Sequence, residues 1–202
     1  MTDARTLNWR FITPELPGDL LLLPVRNERL EGASHAHRSA WGLEDSLSRR
    51  YGAVVAPDVT GWLPDLPGTT ATRLLERLAA AVRPGGWLYV GMQTRPAAAG
   101  PRRMTPVAAR RVLTGAGFDD VQLWFPLPWV SCPAFLVPAA RGAELDHFLS
   151  TAFFPYSDDR SAWRGRARQQ ALSLASRAAL RTPHAWRVRC APSLALLARR
   201  PA

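Results

Sequence analysis

Three side chains in the first third of the chain are of types that move protons. His35 and His37 stand two residues apart in ASHAHRSAW, and Asp58 follows the apolar run YGAVVAP. Residues at i and i+2 share a face only on a strand, whereas this pair falls at a helix start. No Asp, Glu or Cys at ligand spacing accompanies the histidines, so the chemistry they offer is general acid–base work rather than metal binding. His35, His37 and Asp58 are the candidate catalytic residues. Cys132 sits in PLPWVSCPAFLVP with no activating neighbour, which reads as a small core thiol. Tyr156, Asp158 and Asp159 lie between two predicted helices, where an aspartate serves as a cap. The chain shows no Ser-His-Asp order, no phosphate-cradling loop, no paired glutamates and no internal repeat.

Two further groups are suited to binding. Trp124, Phe125, Trp129 and Phe135 concentrate aromatic surface in a proline-dense stretch, as substrate linings and interface anchors do. Arg160, Arg164 and Arg168 recur at i, i+4 and i+8, which stacks three guanidinium groups on one helix face. Trp163, Ala167, Ala171, Leu174 and Ala178 form a neighbouring apolar stripe through which that helix is expected to dock. An acidic protein subunit or peptide is the expected partner, in a hetero-oligomer. Nucleic acid ranks lower, because the basic face lacks stacking aromatics and an RNA motif.

The charge pattern supports that ranking. The net charge is +10, yet residues 1 to 159 hold 16 Arg against 16 acids, while residues 160 to 202 hold 10 Arg and no acid. A block of one sign implies an anionic partner more strongly than the same charge spread evenly. Every basic residue other than histidine is arginine, and Ala, Pro and Gly abound, which points to a GC-rich bacterial genome. No apolar run approaches the length of a membrane span. The N-terminus shows no signal-peptide pattern, and the two cysteines form no framework. A cytoplasmic protein with free thiols is expected. At 202 residues and 47% hydrophobic, the chain is sized for one well-buried domain, residues 1–202, with a basic helical segment at 160–181 inserted before the last strand.

These residues need elements to position them. Residues 6–18 read as a short extended entry with Trp9 and Phe11 alternating. Asp19–Val25 reads as a buried parallel strand, and 36–50 as a helix. Gly52–Ala56 reads as a strand and 58–68 as a loop. Thr69 or Thr70 caps a helix running to Val82, which Arg83-Pro84-Gly85-Gly86 stops. Trp87–Met92 is a strand, a Thr105-Pro106 start opens a helix to about Gly115, and Val121–Phe125 is a strand. Helices are predicted at 144–154 and 160–181, and the last strand at Arg187–Cys190 plus Ser193–Ala198. The pattern predicts an α/β three-layer sandwich.

Four pieces carry a resemblance. YGAVVAPDV resembles the fourth strand of class I S-adenosylmethionine-dependent methyltransferases, and the helix ending in RPGGWLYVGM their helix, turn and fifth strand. RRVLTGAGFDDVQLW resembles their next helix and sixth strand, and CAPSLALLARRP their closing strand. The resemblance implies a Rossmann-like, methyltransferase-type sheet. In the family the first strand leads into a glycine-rich loop that lets the backbone approach the cofactor. Here that loop reads Pro24, Arg26, Asn27, Glu28, with Gly32 as its first glycine. Only residues 26 to 52 separate the first strand from the fourth, room for one crossover but not for two further strands with their helices. The expectation is a reduced sheet of about five to six strands, strand one beside strand four, and no bound cofactor. The implied role is a degenerate methyltransferase-like subunit or accessory protein in bacterial specialised metabolism or peptide modification. An active S-adenosylmethionine-dependent methyltransferase on a small molecule or peptide is the alternative, and an RNA-associated binding module the second.

Overall fold

A computed structural model describes residues 4–15, 17–23, 40–66, 68–94, 104–128, 130, 133–151 and 163–202. A 3-10 helix (Ala4–Phe11) precedes β1 (Leu20–Leu22), α1 (Ala40–Leu47), β2 (Tyr51–Ala56), α2 (Val59–Trp62), α3 (Ala71–Ala80) and β3 (Val82–Gln93). There follow α4 (Pro106–Gly115), β4 (Asp120–Pro128), β5 (Pro133–Pro138), α5 (Gly142–Thr151), α6 (Trp163–Arg181), α7 (His184–Cys190) and β6 (Ser193–Arg199). Thr70 and Thr105 cap α3 and α4 through their hydroxyls, and Pro106 opens the second of these helices.

Among the described residues the sheet has six strands, in the order β1-β2-β3-β6-β4-β5. β1, β2 and β3 run parallel, β6 lies antiparallel between β3 and β4, and β5 folds back antiparallel on β4. The expected strand count and the adjacency of the first and fourth family strands both appear. β5 was not expected as a strand; its prolines at both ends are tolerated because it is an edge.

The path through the sheet sets the layers. From β1 to β2, to β3 and on to β4, the chain always moves the same way across the sheet. Right-handed crossovers in one direction deposit their helices on one face. That face unites Leu21, Val54, Leu88 and Leu196 with Leu43 of α1, Leu74 and Leu78 of α3 and Leu113 of α4. Leu123 links it to a second cluster, where Phe125, Val137 and Leu194 meet Leu145 of α5 and Val188 of α7. The opposite face, built from Leu22, Val55, Trp87, Tyr89, Ala195 and Leu197, receives Trp9 from the 3-10 helix. The third layer of the sandwich is therefore, among the described residues, that 3-10 helix. Asn8 beside Trp9 donates to the carbonyls of Pro133 (2.6 Å) and Ala134 (3.2 Å), which ties the helix to β5.

Several local expectations are corrected. Residues 4–11 are 3-10 helix rather than an extended entry, because Trp9 must be delivered onto the sheet as a plug. The 58–68 loop contains α2 and a 3-10 turn at Leu63–Asp65 that bury Trp62, Leu63 and Leu66. Arg83–Gly86 does not separate helix from strand but forms an irregularity within β3, with Gly85 at positive φ and the β2 register shifting there. Arg187–Cys190 belongs to α7, where Pro183 initiates a helical turn, and not to the last strand. The start of the helix expected from residue 36, and Cys132, Tyr156, Asp158 and Asp159, lie outside the described residues.

Candidate functional site

In open α/β sheets ligands gather at the carboxyl ends of the parallel strands. Here that edge is built by the residues following β1, β2 and β3. The N–H of Leu23 donates to the carbonyl of Val55 at 2.8 Å. Beyond β2 the chain turns at Pro57 and Asp58 into α2. Thr60 Oγ1 accepts the Gln93 N–H at 2.8 Å, which holds the start of α2 over the end of β3. The Thr94 N–H donates to the Pro192 carbonyl at 2.9 Å and its hydroxyl to that of Ala191, joining β3 to the approach of β6.

Asp58 stands at this edge, as its place after the β2 run predicts. It is 7% exposed and its Oδ1 accepts the Gly61 N–H at 3.1 Å, so it is the N-cap of α2. Burial pushes its carboxyl pKa up, opposed by hydrogen bonds from the Gly61 and Thr60 backbone. A buried carboxyl with a raised pKa can hold a proton, but this one already satisfies a helix terminus. His35 and His37, and residues 24–39 where the glycine-rich loop would lie, are outside the described residues. Among the described residues no group of three His, Cys, Asp or Glu is placed to hold a metal ion.

The aromatic group is divided by the strand alternation. Trp124 lies on the face of the sheet that meets the 3-10 helix. Phe135 points to the helical face, half exposed, with its ring 4.8 Å from that of Phe148 on α5. The two therefore do not form one surface. Trp129 is outside the described residues.

Arg164 and Arg168 lie on α6, with side chains outside the described set, and Arg160 is outside the described residues. The apolar stripe expected to dock α6 is corrected in its described part: Leu174 is 64% exposed and Ala178 is exposed, while Ser176 is buried. α6 packs against α5. Ser173, Ser176 and Ala179 are small, which lets two helix backbones approach, and they take the inner face. Leu174 then shares the outer face with Arg177 and Arg181. Cys190 is an exposed free thiol.

Two concavities had no signal in the sequence. One, of about 590 Å³, opens at the amino edge of the sheet between Pro14, Pro17, Arg83, Gly86, Trp87 and Arg199. At its rim Arg83 pairs with Asp19 at 3.1 Å, and Asp19 also accepts the Gly52 N–H at 3.0 Å. The other, of about 420 Å³, runs between β5 and α5, where Val137 and Pro138 face Ala143, Glu144 and Phe148. Both arise from elements distant in sequence, which no local spacing reports.

No family model matches the chain, and no curated protein matches it. Solved structures that it resembles include phosphoethanolamine N-methyltransferase 2 from Haemonchus contortus in complex with phosphomonomethylethanolamine and S-adenosylhomocysteine. The identity is 12% and the TM-score 0.49, over 98% of this chain and 53% of that one, so the chain spans about half the length of that protein. A SAM-dependent methyltransferase from Archaeoglobus fulgidus is 13% identical with a TM-score of 0.48, over 98% of this chain and 93% of that one. A SAM-dependent methyltransferase from Thermotoga maritima is 10% identical with a TM-score of 0.49, over 98% and 88% respectively. By the order and direction of its own strands, the chain is an α/β protein with a methyltransferase-like, Rossmann-like sheet.

Proposed function

We propose that this chain is a methyltransferase-like protein that does not bind S-adenosylmethionine. In this reading it serves as a subunit or accessory protein of a bacterial complex that modifies a specialised metabolite or a peptide. The observation that supports the reading most is the one-way path of the sheet. Doubly wound sheets bind ligands where the strand order reverses, because the loops on either side of that point depart to opposite faces and open a crevice. Among the parallel strands β1, β2 and β3 there is no reversal: β1 stands at the edge of the described sheet, β2 follows, and their helices share a face. The sequence after β1 supports the same reading, with Pro24, Arg26 and Glu28 where the family's close backbone approach calls for glycines. The path of the parallel strands and the sequence after β1 both support a chain that does not hold the cofactor.

The partner in this reading is an acidic protein or peptide segment, recognised by the arginine-rich block after residue 159. Among the described residues no helix is long and apolar enough to cross a membrane. His35, His37 and Asp58 are the groups the chain would lend to a shared active site.

Isothermal calorimetry and thermal shift with S-adenosylmethionine and S-adenosylhomocysteine test the central claim. The expected result is no heat of binding and no ligand-linked rise in melting temperature. A micromolar dissociation constant for either compound would overturn it and favour an active methyltransferase.

A further inference from the structure

Among the described residues β5 ends the sheet, and its outer edge carries a hydrogen-bonding pattern that can be read from the ladder on its inner side. Ala139 donates its N–H to the Leu123 carbonyl at 2.7 Å. In an antiparallel pair such bonds alternate. Phe125↔Val137 and Leu127↔Phe135 are therefore the bonded pairs, while Pro126↔Leu136 and Trp124↔Pro138 are not. Pro126, which has no N–H to give, falls where none is required. The N–H and C=O of Leu136 consequently point away from β4, to the outer edge of the sheet.

We infer that β5 pairs with β5 of a second copy of this chain, antiparallel about a twofold axis at Leu136, and that each copy seats its Phe135 in the groove between β5 and α5 of the other. Three features of the edge are self-complementary about that axis. First, Leu136 offers both a donor and an acceptor, so two copies exchange two bonds at the dyad. Second, the next outward pair sets Pro138 against Ala134. Pro138 lacks a donor, and the Ala134 carbonyl opposite it already accepts from Asn8 at 3.2 Å, so no acceptor is stranded. Third, this register sets Phe135 of one copy opposite Val137 of the other, on the helical face.

The groove beside Val137, about 420 Å³ between Pro138, Ala143 and Phe148, lies where that ring arrives. Phe135 is 50% exposed, an uncommon state for a large aromatic that already meets Phe148 edge to face. Across the dyad the two Phe135 rings become diagonal neighbours, within reach of aromatic contact. Pro138, which has outward parity, denies a donor to longer or shifted pairings along this edge, which favours this short register. Isologous pairing of one patch with itself is the commonest way for two copies to close.

Sedimentation velocity and light scattering on the full chain test this. The expected species has twice the 22.3 kDa chain mass. Leu136→Pro removes the outward donor, which takes no part in the β4 ladder, together with a side chain packed against the Trp9 cluster. Phe135→Glu removes the anchor. Each should weaken the dimer by roughly tenfold or more, as loss of a seated aromatic does, with far-UV circular dichroism and melting checked against the parent. Leu136→Ala, which keeps the N–H, should remain dimeric.

In a Cys132→Ser, Cys190→Ser background, Leu136→Cys should oxidise to a covalent dimer that its cysteine-free parent does not form, because bonded pairs bring Cα atoms to about 5.5 Å. That arm reads the register directly and does not depend on the proline variant folding. A chain that stays monomeric at every concentration reached would overturn the inference. So would a dimer that neither Leu136→Pro nor Phe135→Glu disturbs.

Discussion

A Cβ built on Gly91 would lie 1.9 Å from the carbonyl oxygen of Pro57 and 2.8 Å from Val130 Cγ2. The chain leaving β2 therefore crosses β3 in direct backbone contact, and only a residue without a side chain can stand beneath it. Gly91→Ala should cost about 2–3 kcal/mol, the upper range for overpacking, because the nearest atom is backbone and cannot rotate away. Gly115 is the control: nothing lies within 4 Å of its virtual Cβ and it ends α4. Gly115→Ala should be neutral or stabilising by up to about 1 kcal/mol. Urea midpoints for the two variants check the pair.

Asp58 gives a pH signature. Burial raises its carboxyl above the ordinary 3.8, so the folded chain holds this proton more tightly than the unfolded one. Its contribution is then fully present below pH 3.8 and is lost as pH rises through the raised value. Asp58→Asn keeps a capping oxygen for Gly61 and removes the titration. The stability of wild type relative to Asp58→Asn should fall on going up from pH 3 and level off above the raised pKa. Asp58→Ala should cost about 1 kcal/mol through loss of the cap. Denaturant unfolding of all three proteins across that range measures both effects.

Trp9 is 1% exposed, with its ring 6.2 Å from that of Tyr89 on β3. Trp9→Ala should destabilise the fold by about 3–5 kcal/mol, as truncation of a large core aromatic does. It should also increase binding of a dye that reports exposed apolar surface. Unchanged dye binding would mean that the sheet face has another cover.

The arginine block is tested by reversing its sign. If Arg160, Arg164 and Arg168 meet an acidic partner, changing all three to Glu should abolish co-purification of that partner while the melting temperature stays near the parent's. Exposed substitutions usually alter stability by about 0.5 kcal/mol or less. The wild-type complex should also weaken as salt rises. Retention of the partner by the triple variant would leave these arginines as a solvated face.

The parallel half of the sheet was legible because its strands are short apolar runs bounded by turn chemistry. Leu20–Leu22, Tyr51–Ala56 and the end of β3 announce themselves in this way, as do the threonine caps of α3 and α4. The pairing of β1 with β2 followed from chain length alone. The remainder depended on long-range packing. Trp9 reads as a strand residue by alternation, yet the 3-10 helix lets it plug the sheet. Arg187–Cys190 has the apolar spacing of a strand, but it is α7, and Val188 packs partly buried against the β4–β5 cluster from a helix. Leu174 fits a docking stripe by spacing, but the small residues Ser173, Ser176 and Ala179 took that role. Of the candidate site, Asp58 fell at the carboxyl edge as its position after β2 requires. Its engagement with Gly61 could not be read from the sequence, because α2 is too short to show periodicity.

The position of β6 has a consequence for synthesis. It lies between β3 and β4, and those two strands are joined to the same sheet only through it. As the chain leaves the ribosome, β1 to β3 with their helices can assemble early, and so can the β4–β5 hairpin. The two parts then wait, each with an unpaired edge, until residues 193–199 arrive. A product lacking this segment would carry two exposed strand edges, a state prone to aggregation and attractive to chaperones. Seven residues late in the chain thus act as a checkpoint on whether the rest becomes one body.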